Sequence, residues 1–148
     1  MITIREVMTT KPHTLRPGNT MADAQRLMAE HHVRHIPIVD DSNRLVGLVS
    51  ERDVLAADLS RVAPLAGPDR AAFESAVPLR DVMTKDVQVV GTNDSLRLAA
   101  LRLQRQKIGC LPVVDGDTLT GIITDYDFVG VAIDLIEQLE LSEPEEES

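Results

Sequence analysis

Two stretches of the chain set a hydroxyl three residues ahead of a carboxylate: Ser50 and Asp53 in GLVSERD, and Thr124 and Asp127 in GIITDYD. Each follows a short apolar run and opens a helix-like pattern. At such a strand-to-helix step the carboxylate can accept hydrogen bonds from the two vicinal hydroxyls of a ribose. The hydroxyl and the helix-terminal N–H groups then face a phosphate. That combination suits a ribonucleotide. The alternative is that Asp53 and Asp127 are helix N-caps, a position where Asp is favoured.

Arg34 and His35, in VRHIPIV, are the cations best suited to phosphate. Arginine offers a fork of donors, and a nearby anion would favour a protonated imidazole. Arg34 could also be a solvated charge complementing a helix dipole. A metal site is not expected, because His35 lies beyond the helix that carries His31, and no Cys or acid stands at a metal-ligand spacing. Cys110 sits in an apolar run and reads as packing rather than a reactive thiol. Met8 and Met83 read as core filling. No Ser-His-Asp, paired-carboxylate or Gly-rich phosphate-loop pattern appears, so catalysis is not expected.

The elements that must position these residues occur twice. Met8 and Met83, Pro37 and Pro112, and Asp40 and Asp115 are each 75 positions apart. Beyond them Gly47 and Gly121, Ser50 and Thr124, and Asp53 and Asp127 are 74 apart. One residue is therefore missing from a surface turn, where length changes are tolerated. Each unit reads as an extended piece (His13 to Arg16; Val87 to Val90), a turn and cap signal, a helix, a hairpin and a last helix starting near Asp53 or Asp127. Met21, Ala24, Leu27 and Met28 make the apolar stripe of the first helix, and Leu96, Ala99, Ala100 and Leu103 that of its counterpart. The order βαββα, twice, predicts an α+β fold with two small sheets. A repeat of this size buries too little core alone, so the two should fold against one another. The boundaries follow: residues 1–60 and 79–140 for the repeats, 61–78 for a linker with a short helix from Asp69 to Ala76, and 141–148 for an acidic disordered tail.

Composition narrows the partners. The 148 residues carry 24 acids against 15 bases, a net charge of −9. Nucleic acid and anionic membranes are poor partners for that balance, and 2% aromatic content leaves no stacking platform for single strands. A lone cysteine and an N-terminus without basic or apolar leader segments point to the cytoplasm. No apolar stretch is long enough to span a bilayer.

The MT pairs at Met8 and Met83, the IPIVD and LPVVD runs and the two G-x-x-S/T-x-x-D endings, in order and in duplicate, resemble the cystathionine-β-synthase-type (CBS) domain from about Ile4 to Ala132. KIGCLPVV and GIITDYDF are also similar to stand-alone bacterial pairs of the acetoin-utilisation type. The resemblance implies tandem βαββα repeats in a pseudo-twofold CBS pair (Bateman module), binding AMP, ADP, ATP or S-adenosylmethionine to regulate an attached or partner protein. It further implies that the start and h-x-h-P segment of one repeat face the S/T-x-x-D of the other.

Cleft A then takes Thr9, Thr10, His13, Thr14, Val33, Arg34 and His35 with Thr124, Tyr126 and Asp127. Cleft B takes Thr84, Val87, Gln88, Ile108, Gly109 and Cys110 with Ser50, Arg52 and Asp53. Gly109 and Cys110 replace Arg34 and His35 in cleft B, so phosphate should be read mainly in A. A homodimer is expected through Val54, Leu55, Phe128, Val129, Ala132 and Ile136, and an unidentified regulated protein is the implied recipient of the signal. The alternative is a ligand-free interaction or scaffold module, favoured if internal carboxylates hold Arg34 and Arg52.

Overall fold

The apolar stripe of each first helix needs a sheet to cover, and each repeat supplies one through its hairpin. The computed structural model describes residues 1–59 and 68–143. In the first repeat α1 (Met21–His31) precedes the hairpin β2 (His35–Val39) and β3 (Leu45–Ser50), and α2 (Glu51–Leu59) follows it. In the second, α4 (Leu96–Gln106) precedes β5 (Cys110–Asp115) and β6 (Thr118–Thr124), and α5 (Asp125–Ser142) follows. Between the repeats lies α3 (Pro68–Ala76), where the sequence predicts a helix from Asp69; the remainder of the linker to its N-terminal side falls outside the described residues.

Local chemistry sets the helix ends. The Thr20 hydroxyl accepts from the Asp23 amide, while the Asp23 carboxylate accepts from the Thr20 amide at 2.9 Å, a reciprocal capping box. Ser95 caps α4. His32 and Lys107 end α1 and α4 in left-handed conformations (φ 54° and 53°), 75 positions apart like the rest of the repeat. Met21, Ala24 and Met28, and Leu96, Ala99 and Leu103, are the buried faces that the spacing predicts.

The sheets are completed by exchange. The larger has the order β1-β6-β5-β4, and its edge strand β1 (Thr9–Thr10) comes from the first repeat, pairing antiparallel with β6 of the second. Its other edge, β4 (Val90–Gly91), runs parallel to β5. The smaller sheet is β2-β3, flanked by the same arrangement in single bridges: Leu15 parallel to Ile38, and Thr84, from the second repeat, antiparallel to Leu48. Leu48 and Thr84 exchange both backbone hydrogen bonds, at 3.0 and 2.9 Å. The predicted extended pieces thus shrink to Leu15 alone and to Val90–Gly91, because only those positions meet a strand partner.

The cores record the same exchange. Ile4, at the chain's beginning, is fully buried with Val90, Leu96, Leu111, Val113 and Ile123 of the second repeat. Leu79, its equivalent 75 positions on, is buried with Met21, Ile36, Ile38 and Val49 of the first. Gly121 shows how closely the exchanged strand lies: a side-chain carbon there would stand 2.8 Å from the Thr9 carbonyl oxygen and from Met8 Sδ. The hairpin tips also pair, Leu45 N–H donating to Asp117 O and Leu119 N–H to Asn43 O, both at 3.0 Å. The turn that lost a residue therefore joins the two sheets. On the outer side α3 is fastened to the first repeat by Arg70, which donates to Asp58 of α2 at 2.9 Å and also, within α3, to Glu74 at 2.9 Å.

Two expectations are corrected here. The tail does not begin at residue 141, since α5 is helical through Ser142. Glu143, immediately before Pro144, is extended (ψ 138°), as a residue preceding proline must tend to be. Val54 is buried in the first core, so it does not belong to an outward dimer face, whereas Phe128 is half-buried against the second core.

Candidate functional site

The two S/T-x-x-D stretches fold alike because each meets the same local demand, satisfying the free N–H groups at a helix start. Thr124 is the N-cap of α5, and Asp127 stands at the third helical position, accepting from the Thr124 amide at 2.8 Å. Ser50 and Asp53 repeat this at α2, the Ser50 amide donating to Asp53 Oδ2 at 2.8 Å and the Asp53 amide to Ser50 Oγ at 3.0 Å. The helices accordingly start two residues before the aspartates, and the caps are Ser50 and Thr124. Each carboxylate is the returning half of a capping box.

Asp127 also reaches across the repeats. Its Oδ1 accepts from the Thr9 hydroxyl at 3.0 Å, over 118 positions of sequence. This brings the start of the first repeat to the end of the second, the juxtaposition on which cleft A depends. Thr10 follows in β1 opposite Gly121. In the counterpart, Thr84 lies opposite Leu48, and among the described residues its hydroxyl makes no matching bond to Asp53.

His35 opens β2 opposite Ser50, and its ring fills the space that Gly109 leaves: a carbon added at Gly109 would lie 2.8 Å from His35 Cε1. Burial lowers the pKa of His35, opposed by the negative charges of Asp125 and Asp53 and reinforced by the positive charges of Arg34 and Arg52. Arg34, just before β2, and Arg52, in the first turn of α2, thus act on one imidazole, where it meets Gly109 of the second repeat. Arg34 and Arg52 are exposed, and among the described residues neither enters an ion pair with a carboxylate, as is also true of Arg5, Arg80, Arg97, Arg102 and Arg105, whereas Arg16, Arg26, Arg44 and Arg70 do. Asp125, beside both His35 and Cys110, was not singled out from the sequence; its only signal was the acid it shares with Glu51 at the equivalent position.

The other candidates are placed as follows. His13 stacks on His31 at the end of α1, ring centroids 3.8 Å apart, and so leans on its own repeat's helix. Thr14 is half-buried beside it. Val33 packs on the first core and Ile108 on the second. Val87 lines an open hollow with Lys85, Val46 and Asp117, Gln88 is exposed, and Tyr126 is 84% exposed. Cys110 is buried, and burial with Asp125 and Asp127 nearby pushes its thiol up to about 12, so it stays protonated and unreactive at neutral pH. Among the described residues no group of three or more His, Cys, Asp or Glu is placed to hold a metal ion, and no helix is long and apolar enough to cross a membrane.

The family model of the CBS domain matches residues 4–60 and 79–134, both repeats. The chain belongs to the CBS domain family. A Vibrio cholerae protein named for acetoin utilization (AcuB) is 45% identical, over 97% of this chain and 99% of that one, with a TM-score of 0.82. The CBS-pair protein CBSX2 of Arabidopsis thaliana, solved in complex with AMP, is 31% identical over 91% of this chain and 98% of that one, with a TM-score of 0.77. Inosine-5'-monophosphate dehydrogenase of Mycobacterium tuberculosis is 37% identical over 82% of this chain, which spans only 21% of that enzyme. Homoserine O-acetyltransferase of Methanobrevibacter ruminantium is 34% identical, and the chain spans 22% of it. The match to these enzymes is therefore confined to a CBS-sized part of each.

The central His35 of this CBS pair makes stability depend on pH. Its folded pKa lies below the usual imidazole value of about 6.5, so on acidification through that value the unfolded chain takes up the proton first. The folded state therefore loses stability as pH falls below about 6.5. Melting temperatures measured from pH 8 to pH 5 are expected to decline over this window, and to decline less in His35→Asn. An unchanged slope in the variant would assign the decline to other groups.

Proposed function

We propose that this CBS pair is a non-catalytic regulatory module that binds adenine nucleotides, AMP, ADP, ATP or S-adenosylmethionine, in the clefts between its repeats. The observation that carries this reading is the pair of exposed, carboxylate-free arginines Arg34 and Arg52 beside His35, with the Asp127 and Asp53 carboxylates at the adjoining helix starts. In a scaffold with disused clefts, internal acids would be free to neutralise those cations. The AMP complex of CBSX2 supports the ligand class. Ligand occupancy would act by favouring one arrangement of repeats or protomers over another, and the change would pass to a separate protein. The reduced, buried Cys110 is in keeping with a cytoplasmic setting.

Calorimetry with adenosine, AMP, ADP, ATP and S-adenosylmethionine tests the proposal. At least one should bind, and Arg34→Ala should weaken ATP by roughly ten- to a hundredfold while leaving adenosine nearly unchanged, the loss typical of one charge-assisted contact. Equal losses for both ligands would remove Arg34 from the phosphate site. No heat with any ligand at millimolar concentration would overturn the nucleotide reading.

The outward residues Leu55, Val129, Ala132 and Ile136, with the half-buried Phe128, form the proposed homodimer face, from which Val54 is excluded by its burial. Symmetric closure would cover this surface on α2 and the adjoining part of α5. Light scattering at micromolar concentration should read a dimer; a monomer would contradict the assignment.

A further inference from the structure

The last helix is built for more than the repeat. It is 18 residues long against 9 for α2, and in the repeat register Leu59, the end of α2, corresponds to Ile133. Residues 134–142 lie beyond the register of the described part of α2. At about 1.5 Å per residue this extension continues the helix for some 13 Å.

One flank of α5 begins as part of the core and then runs out of it. Phe128 packs on the second core and Val131 is half-buried. Helical spacing carries the same flank on to Leu135 and Leu139, seven and eleven residues after Phe128. There nothing among the described residues covers it: Leu135 is 54% exposed, Leu139 64% and Leu141 86%. No residue of α5 is fully buried. Apolar side chains that continue a packed stripe into water mark a surface with a missing partner.

Charge says what that partner is. The helix carries Asp125, Asp127, Asp134, Glu137 and Glu140 and no Lys, Arg or His, and the sequence goes on with Glu143, Glu145, Glu146 and Glu147. A second copy laid on this extension would set carboxylates against carboxylates. An anionic lipid surface would be repelled in the same way. We propose that residues 134–142 are a docking surface for a basic amphipathic helix of a separate protein, whose apolar face meets Leu135 and Leu139 and whose Lys or Arg side chains meet Asp134, Glu137 and Glu140. Leu55, Val129 and Ala132 of the proposed dimer face lie nearer the start of α5, while Ile136 falls between Leu135 and Leu139, so the two surfaces meet at Ile136.

The test uses the full chain without nucleotide, so that its outcome is independent of the clefts. The probe is a fluorescent synthetic helix of leucine and lysine in amphipathic order, followed by anisotropy, with a scrambled peptide of the same composition as control. The ordered peptide should bind saturably and more tightly than the scrambled one. Leu135→Ser with Leu139→Ser should weaken it about tenfold or more, as loss of central apolar anchors does, with the melting temperature held because both sites are exposed. Glu137→Gln with Glu140→Gln should weaken it and flatten its salt dependence. Equal binding of ordered and scrambled peptides, or binding untouched by the leucine pair, would overturn the proposal in favour of unspecific charge attraction. Absence of peptide binding, with an oligomer that the leucine pair dissociates, would assign the surface to a second copy instead.

Discussion

Asp127→Ala is expected to weaken adenosine and ATP alike, by roughly ten- to a hundredfold in calorimetry. The carboxylate holds the Thr124 amide with one oxygen and the Thr9 hydroxyl with the other, at 2.8 and 3.0 Å. Its remaining lone pairs are the acceptors proposed for ribose, so the loss should not depend on how many phosphates the ligand carries. That contrasts with Arg34→Ala, which should discriminate between the two ligands. The substitution also breaks a capping box, at a cost of about 0.5–2 kcal/mol, which a protein of this size ordinarily survives folded. Asp127→Asn separates the two effects, since an amide oxygen can still cap the Thr124 amide while the charge is lost. Unchanged affinity in Asp127→Ala would refute the construction of cleft A from both repeats.

The second large effect is on stability. Ile4→Ala should destabilise the protein by about 2–5 kcal/mol, the range for removing a fully buried aliphatic side chain. For a chain of this size that lowers the melting temperature by roughly 5–15 °C. The first few residues of a domain ordinarily fray, and substitutions there cost almost nothing. Ile4 is different because it sits in the core of the opposite repeat, beside Val90, Leu111 and Ile123. Leu79→Ala should be similarly costly, acting through the first core. A melting temperature within a degree or two of the parent for Ile4→Ala would show that the opening segment is peripheral and that the exchange of segments does not hold the repeats together.

The helices, hairpins and caps were legible because each is written in short-range pattern. Met21, Ala24 and Met28 fall at helical spacing, Thr20 and Ser95 stand where caps are required, and the duplication in register ties one repeat's assignment to the other's. The sequence places the aspartates near a helix start, as ribose acceptors with the N-cap as the alternative. A hydroxyl and a carboxylate three residues apart are both competent caps, and only the backbone geometry shows that Ser50 and Thr124 take that place. The outward face likewise loses Val54, because an apolar residue on a partly covered helix reads the same whether its flank meets the core or the solvent.

The amino-acid sequence by itself determined the family, the tandem α+β repeats and the residue types that could meet a ribonucleotide, since those depend on local periodicity and on one repeat echoing the other. Tertiary structure alone decided how distant pieces meet. It set Thr9 against Asp127 and Ile4 in the second repeat's core, and it placed His35 in the space left by Gly109. It also let α5 outrun the body of the protein with Leu135 and Leu139 uncovered. Such contacts are selected by the shape and burial of whole surfaces, on which a residue's near neighbours in sequence carry no information.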